Sequence, residues 1–361
     1  MGLLSQKLRI VRDRNFQMVS PDQIAERCLQ ALAKRNGLRL TREVCRLFDG
    51  SGDGLPWLYI DRYGPLVLAH LLPAQGGAGP VKAVRAALSK SGGVFAQTWG
   101  TESLYLRVHP SDAREHRAQE VSLIWGRPQE ELMVTEGPCR FIVRPGKSVH
   151  AGLYADTRNL RAYLQTHSAG MRVLNLFCFT GSLGISAAVG AAAEIAQIDS
   201  SPAALEWAKQ NWLLNQADRT CVMRFICDDC RHFLDREVAR VEAGGKRTAI
   251  AIIDPPSYGR GRKRTFSLKR DVGELVEKAM RIIEPNGEII LTSNTRELTP
   301  QRLANVAQDA AQALSWSIGL LETLLPPAED FCAEGCNSIA MRGVRVVGAG
   351  EPSEALRNHV R

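Results

Sequence analysis

The spacing of apolar positions changes along the chain. After Met171 the apolar runs VLNLF, EIAQID, RFICDD and AIAIID alternate with the amphipathic stretches LGISAAVG and SPAALEWAKQNWLLN and a segment near 230–241. That rhythm predicts parallel strands with helices on both faces of the sheet. A further helix is expected before EIILTSN and another after Thr299, with two closing strands near 317–324 and 338–347.

Upstream the pattern is different. In FDGSGDGLPWLYIDRYGPLVLAHLL, turn residues are followed by short alternating apolar runs. With a helix over Val81–Leu88 and a strand over Leu104–Val108, these predict a small α/β domain. The charged stretch 111–119 reads as an exposed connection. Residues 1–40 read as a basic helical extension, opened by Pro21 and Asp22 and stopped by Asn36 and Gly37, with Ile24, Cys28, Leu29 and Leu32 on one face. The expected division is therefore 1–40, 41–125 and 126–361.

Composition narrows the class. At 361 residues and 45% apolar the chain can bury a sizeable core. No apolar run of about 18 residues exists, and the start MGLLSQKLRIVRDRNF carries charges where a signal peptide needs an apolar stretch. Nine cysteines, an odd number in a chain of this size, do not suggest a secreted disulfide framework. A cytoplasmic protein with no membrane partner is the expectation. The net charge of +8 suits a polyanionic partner.

The chemistry concentrates at the ends of the later strands. VLNLFCFTGSLG ends a strand at Phe177 and opens a helix near Leu183, with Asn175, Thr180, Gly181 and Gly184 where the backbone turns beside a ligand. Asp199 ends the next strand, placed to accept ribose hydroxyls. The turn has one glycine too few for a dinucleotide fingerprint, which argues against a nicotinamide oxidoreductase. Asp228 and Asp229 close the third strand, where a carboxylate can meet an adenine amino group or simply cap the next helix. The fourth strand ends IIDPPSYGR. Pro255 and Pro256 stiffen the chain there and leave the Asp254 carboxylate free to accept from a substrate.

At these residues the sequence resembles the bacterial 23S ribosomal RNA base methyltransferases of the 5-methylcytosine group and their guanine-N7 relatives. The likeness runs from about 42 to 347 and includes FDGSGDGLPWLYIDRYG, HAGLYADTRNLR, the FTG turn, Asp199 with the SPAALEWAKQN run behind it, and DPPSYGRGRKR. It implies an α/β protein: a class I, Rossmann-like methyltransferase sheet of seven strands, the last antiparallel, behind a small α/β domain and a basic helical segment. The implied cofactor is S-adenosylmethionine and the implied partner is RNA, 23S rRNA or a ribosomal precursor particle. By the same resemblance Tyr154, Asp156 and Arg158 lie at the cofactor pocket, with Arg158 a candidate for the methionine carboxylate.

Two departures shape the expectation. About 40 basic residues stand where the cytosine enzymes carry an RNA-binding PUA domain. Those enzymes also place a cysteine after the fifth strand, where LTSNTREL has Asn294. Carbon 5 of a pyrimidine needs a thiolate at carbon 6, whereas a ring nitrogen already offers a lone pair. Transfer to nitrogen, of guanine-N7 type, is therefore expected, with Asp254 and Asn294 holding the base. The alternative is a cytosine-C5 enzyme whose thiol comes from Cys332 or Cys336 in the late loop LPPAEDFCAEGCNS. That loop could reach the substrate base, and Glu329, Asp330 and Phe331 read equally as loop polarity and a buried anchor. Arg260, Arg262, Lys263 and Arg264 are expected to meet phosphates, and Tyr258 to stack on an extruded base. Cys227 and Cys230 are read as structural, and no metal site is expected. A non-catalytic RNA-binding protein would have lost Gly181, Asp199 and Asp254, yet all three are present.

Overall fold

The computed structural model describes residues 19–72, 79–109, 120–146, 150–216, 220–256, 258–259, 266–295, 298–331 and 340–350. The first helix, α1 (Pro21–Lys34), is set by a capping box: the Ser20 hydroxyl accepts from Gln23 N at 3.2 Å and the Gln23 side chain accepts from Ser20 N at 2.9 Å. Its face of Ile24, Cys28, Ala31 and Leu32 is buried in the core of the following domain, while Leu29 is exposed. Helix α1 thus shares one core with the sheet that follows it.

That domain is a five-stranded sheet in the order β1-β2-β3-β4-β5, formed by β1 (Val44–Asp49), β2 (Leu58–Tyr63), β3 (Leu66–Leu71), β4 (Ser103–Val108) and β5 (Glu120–Gly126). Helix α2 (Gly79–Trp99), between β3 and β4, supplies the crossover that lets these two run parallel. Helix α2 covers one face of the sheet through Val84, Leu88, Phe95 and Trp99, beside the buried face of α1. The other face, through Val44, Tyr63, Leu66, Leu68 and Tyr105, packs on the hairpin β6 (Leu132–Glu136) and β7 (Cys139–Val143) and on Leu153 and Ala155.

The chain then enters the large sheet through α3 (Arg158–His167). In chain order follow β8 (Arg172–Leu176), α4 (Ser182–Val189), β9 (Glu194–Asp199), α5 (Pro202–Leu213), β10 (Val222–Cys227), α6 (Cys230–Glu242) and β11 (Thr248–Ile253). A two-residue ribbon of β12 (Tyr258–Gly259) and β13 (Phe266–Ser267) precedes α7 (Leu268–Ile282), β14 (Ile283–Ser293), α8 (Pro300–Ala313), β15 (Ile318–Leu324) and β16 (Arg342–Gly348). The strand order is β10-β9-β8-β11-β14-β16-β15, with β16 antiparallel to both neighbours. Helices α6, α7 and α8 bury one face, and α3 and α4 the other. The order reverses between β8 and β11, which puts the ligand crevice at the carboxyl ends of these two strands.

Candidate active site

The FCFTG turn leaves β8 with Phe177 at φ 57° and Phe179 at φ 49°, a left-handed conformation that non-glycine residues hold only when their surroundings enforce it. The enforcement is visible. Cys230 Sγ accepts from Phe177 N at 3.2 Å, Asp199 Oδ2 accepts from Phe179 N at 2.9 Å, and the Thr180 hydroxyl donates to Gly152 O at 2.6 Å. Gly181 follows at φ 79°, and a Cβ there would lie 2.9 Å from Gln197 Nε2. Gln197 lies under the turn, donating to Gly181 O at 3.1 Å and accepting from Asn175 Nδ2 at 2.7 Å. Asn175 is accordingly a buried support of the turn.

Asp199, at the end of β9, uses one lone pair of each oxygen: Oδ2 takes Phe179 N, and Oδ1 takes Ser201 N at 2.9 Å. A carboxylate has about four acceptor sites, so these bonds leave acceptor capacity for a ribose hydroxyl. Burial pushes its pKa above the usual carboxylate range, against the backbone donors that pull it down. At the end of β10, Asp228 accepts from His232 Nδ1 at 2.9 Å and from Arg236 at 2.5 Å, and its carboxyl pKa is lowered. Asp229 does other work: it caps α6 by accepting from Arg231 N at 2.9 Å and pairs with the Arg231 guanidinium at 3.1 Å. The helix-cap reading of this acidic pair therefore describes Asp229, and Asp228 is the carboxylate beside the strand end.

At the end of β11 the Asp254 carboxylate accepts from the Thr292 hydroxyl at 2.6 Å, and burial raises its pKa. Thr292 is on the neighbouring β14, in register through Ile253 and Leu291, so the two strand ends form one wall. Pro255 is buried and Pro256 exposed. Asn294 is exposed one residue beyond β14. The side chain of Tyr258 and all of Arg260, Arg262, Lys263, Arg264, Cys332 and Cys336 lie outside the described residues.

The segment before α3 departs from expectation at one residue. Arg158 is taken up by protein partners: its guanidinium donates to Asp330 Oδ1 at 2.7 Å and Oδ2 at 3.1 Å, and to Val44 O at 3.3 Å. Asp330 is 1% exposed and also accepts from Arg46 N at 2.8 Å, while its carbonyl accepts from Arg35 at 3.1 Å. Asp330 is thus no loop polarity; it ties the small domain, α3 and the late loop together, and Phe331 beside it is buried as an anchor. Asp156 is buried, accepts from Met341 N at 2.7 Å through Oδ2 and has no hydrogen-bond partner on Oδ1. Burial, reinforced by Asp254 and opposed by Arg46, pushes its pKa up to about 6.

Sequence reasoning missed Thr292, Asp330 and the rings of His150 and Phe179. Phe179 and His150 carried a signal, the first lying inside the recognised turn and the second opening the HAGLYADTRNLR run. Among the described residues no cluster of His, Cys, Asp or Glu could hold a metal, and Cys227 and Cys230 diverge, the first exposed and the second buried under Phe177 N.

A carboxylate-rich crevice behind a glycine turn, at the switch point of a seven-stranded sheet closed by an antiparallel strand, defines a class I methyltransferase. Residues 46–335 match the S-adenosylmethionine-dependent methyltransferase family, and the chain belongs to it. It is an S-adenosylmethionine-dependent enzyme. Ribosomal RNA large subunit methyltransferase I of Serratia proteamaculans is 30% identical over 291 residues, 78% of this chain and 68% of that protein. The same-named protein of Tolumonas auensis is 28% identical over 328 residues, 90% of this chain and 79% of its own length. Methyltransferase K/L of Chromohalobacter salexigens is 33% identical, but over only 46% of this chain and 22% of that protein. The fold superposes on the methyltransferase SMU.776, solved with S-adenosylhomocysteine, with a TM-score of 0.76 at 20% identity, covering 91% of this chain and 82% of that one. No described helix is long and apolar enough to cross a membrane.

Proposed function

We propose that this enzyme methylates a base of RNA, 23S rRNA or its precursor particle, and that the acceptor is a ring nitrogen of guanine-N7 type. The relatives that cover most of the chain act, by name, on large-subunit ribosomal RNA. The observation that carries the choice of atom is the state of the thiols. Asn294 occupies the place after β14 where a nucleophilic cysteine would stand. The buried thiols near the crevice, Cys178 and Cys230, have pKa values held far above the usual thiol range, first by burial. A protonated thiol does not add to carbon 6.

The residues present fit the cofactor. The Asp199 carboxylate at the end of β9 suits the ribose hydroxyls, the Asp228 carboxylate at the end of β10 is placed for the adenine amino group in exchange with its bonds to His232 and Arg236, and Thr180 and Gly181 shape the turn against the cofactor. The unpartnered Oδ1 of Asp156 is an acceptor for the methionine ammonium, since a buried oxygen without a donor carries a desolvation cost that a cation removes. When bound, S-adenosylmethionine supplies an electrophilic sulfonium methyl. Asp254, fixed by Thr292, accepts from an amino group of the base, and Asn294 bonds its edge, so the acceptor nitrogen faces the methyl group.

Nucleoside mass spectrometry of ribosomes from a deletion strain should show the loss of one methylated base. An RNA substrate carrying 5-fluorocytosine in place of cytosine should leave no covalent adduct with the enzyme. A stable adduct that disappears in Cys332→Ala or Cys336→Ala would replace the nitrogen reading with a cytosine-C5 enzyme that draws its nucleophile from the late loop.

A further inference from the structure

Three rings meet where the segment before α3 faces the cofactor turn. His150 and Tyr154 have centroids 5.4 Å apart, His150 and Phe179 5.7 Å, and Tyr154 and Phe179 5.8 Å, at interplanar angles of 60°, 81° and 42°. Trp207 is behind them, 6.2 Å from Phe179, and is buried. Tyr154 is 38% exposed, while every other exposed large apolar side chain among the described residues is aliphatic. His150 is exposed as well. Their position is fixed on both sides of the crevice. Asp199 holds the Phe179 backbone, and Asp254 and Asp156 lie close enough for their charge to act on the Tyr154 hydroxyl.

We propose that the ring wall of His150, Tyr154 and Phe179 is the stacking platform for the acceptor base, which lies on it with its polar edge toward Asp254. This deepens the RNA-base reading and rests on it. An enzyme acting on a base in structured RNA takes it out of its stack and must replace the stacking energy given up. Aromatic faces do so for any base, because every base has a π-face. The histidine is suited to this role: its ring reaches solvent, yet the groups packed around the rest of it remove enough water, with Arg107 and His109 adding positive charge, to lower its pKa to about 4, so the ring is neutral at physiological pH. Structural demands do not explain the exposed tyrosine. Its backbone carbonyl alone accepts from Arg161 at 2.9 Å and from Thr157 at 3.1 Å, which anchors the segment whatever the ring does.

The test uses the full chain in the forms Tyr154→Leu, Tyr154→Phe and His150→Leu. S-adenosylhomocysteine affinity is measured by calorimetry. RNA affinity with that compound bound, and methyl incorporation, are measured on 23S rRNA transcripts and on large-subunit particles from a deletion strain. Tyr154→Leu should lower kcat/KM for RNA about 10- to 100-fold and weaken RNA binding, with S-adenosylhomocysteine affinity within about twofold of wild type. Tyr154→Phe, which keeps the π-face, should restore most of the loss, and His150→Leu should show a smaller loss of the same kind. Methylation by Tyr154→Leu at the wild-type rate overturns the platform, as does a tenfold or greater loss of S-adenosylhomocysteine affinity, which would put the ring on the cofactor. A wild-type enzyme that binds S-adenosylhomocysteine but methylates neither RNA overturns the RNA reading itself, and the platform with it.

Discussion

Replacing Asp330 with alanine should destabilise the whole protein, although the residue is in a late loop far along the chain from its partners. The substitution removes two bonds to Arg158, at 2.7 and 3.1 Å, and the acceptor of Arg46 N at 2.8 Å. It leaves a guanidinium whose side chain is 6% exposed without its carboxylate. Breaking a buried ion pair by removing one partner costs about 3–5 kcal/mol. Glu329, 3.6 Å from Arg158 and half exposed, can swing toward the vacated place, but an exposed pair returns only about 0–1 kcal/mol. The uncapped Arg46 N–H adds about 1 kcal/mol or more. A net loss of about 3–5 kcal/mol follows, a large part of the roughly 5–15 kcal/mol typical of a domain. Because Arg35 bonds the Asp330 carbonyl, which alanine keeps, the loop backbone stays tethered and the loss is one of charge. Urea unfolding with linear extrapolation measures it. Asp330→Asn, which keeps an acceptor for Arg46 N, should lose less, and Arg158→Ala with Asp330→Ala should lose less than the sum of the single variants. A loss under about 1 kcal/mol at unchanged denaturant slope would show that the buried pair is not the junction described.

Three further outcomes follow from the site. Asp199→Ala should weaken S-adenosylmethionine binding by about 1–3 kcal/mol, through missing ribose hydrogen bonds and a loosened Phe179 turn; unchanged affinity by calorimetry in a folded variant removes Asp199 from the pocket. Asp156 has a folded pKa of about 6 against an ordinary 3.8, so its contribution to stability is present below about pH 4 and is lost as pH rises through 6. Asp156→Asn should therefore gain on wild type by up to about 3 kcal/mol between pH 4 and 7 in urea unfolding, and a pH-independent difference would contradict the raised pKa. RNA binding should weaken steeply with salt, and neutralising Arg260, Arg262, Lys263 and Arg264 should reduce the log–log slope by about 0.9 for each phosphate no longer neutralised; an unaltered slope would make that loop ordinary surface.

The strand–helix alternation of the large sheet is legible in the sequence because parallel strands buried on both faces read as unbroken apolar runs, as in AIAIID, all of whose first five residues are buried. The strand-end carboxylates follow from position alone. For helix α2 the pattern supports only 81–88, because Ser91, Gly92 and Gly93 look like a stop, yet the helix runs to Trp99. A Cβ at Gly92 would lie 2.4 Å from Trp125 of β5, so close packing against the sheet requires the glycine and overrides its poor helix propensity. Asp330 is illegible for a different reason: its partner Arg158 is 172 residues away, and no local pattern distinguishes a buried acid from a solvated one.

The same bonds explain why the small domain matters to a site made mostly by the large sheet. The short segment 153–158 carries Tyr154 and Asp156, and it is held from both sides. Tyr63 of β2 donates to Leu153 O at 3.0 Å, and Arg158 reaches Val44 O of β1. From the other direction Met341, just before β16, donates to Asp156, and Asp330 binds Arg158. Buried polar groups have few alternative partners, so such a segment cannot shift by an ångström without leaving several of them unsatisfied. A preorganised pocket needs that rigidity, because methyl transfer depends on alignment of donor and acceptor more than on acid–base help. The small domain's sheet therefore holds one side of the segment that carries Tyr154 and Asp156, whether or not any of its residues touches RNA.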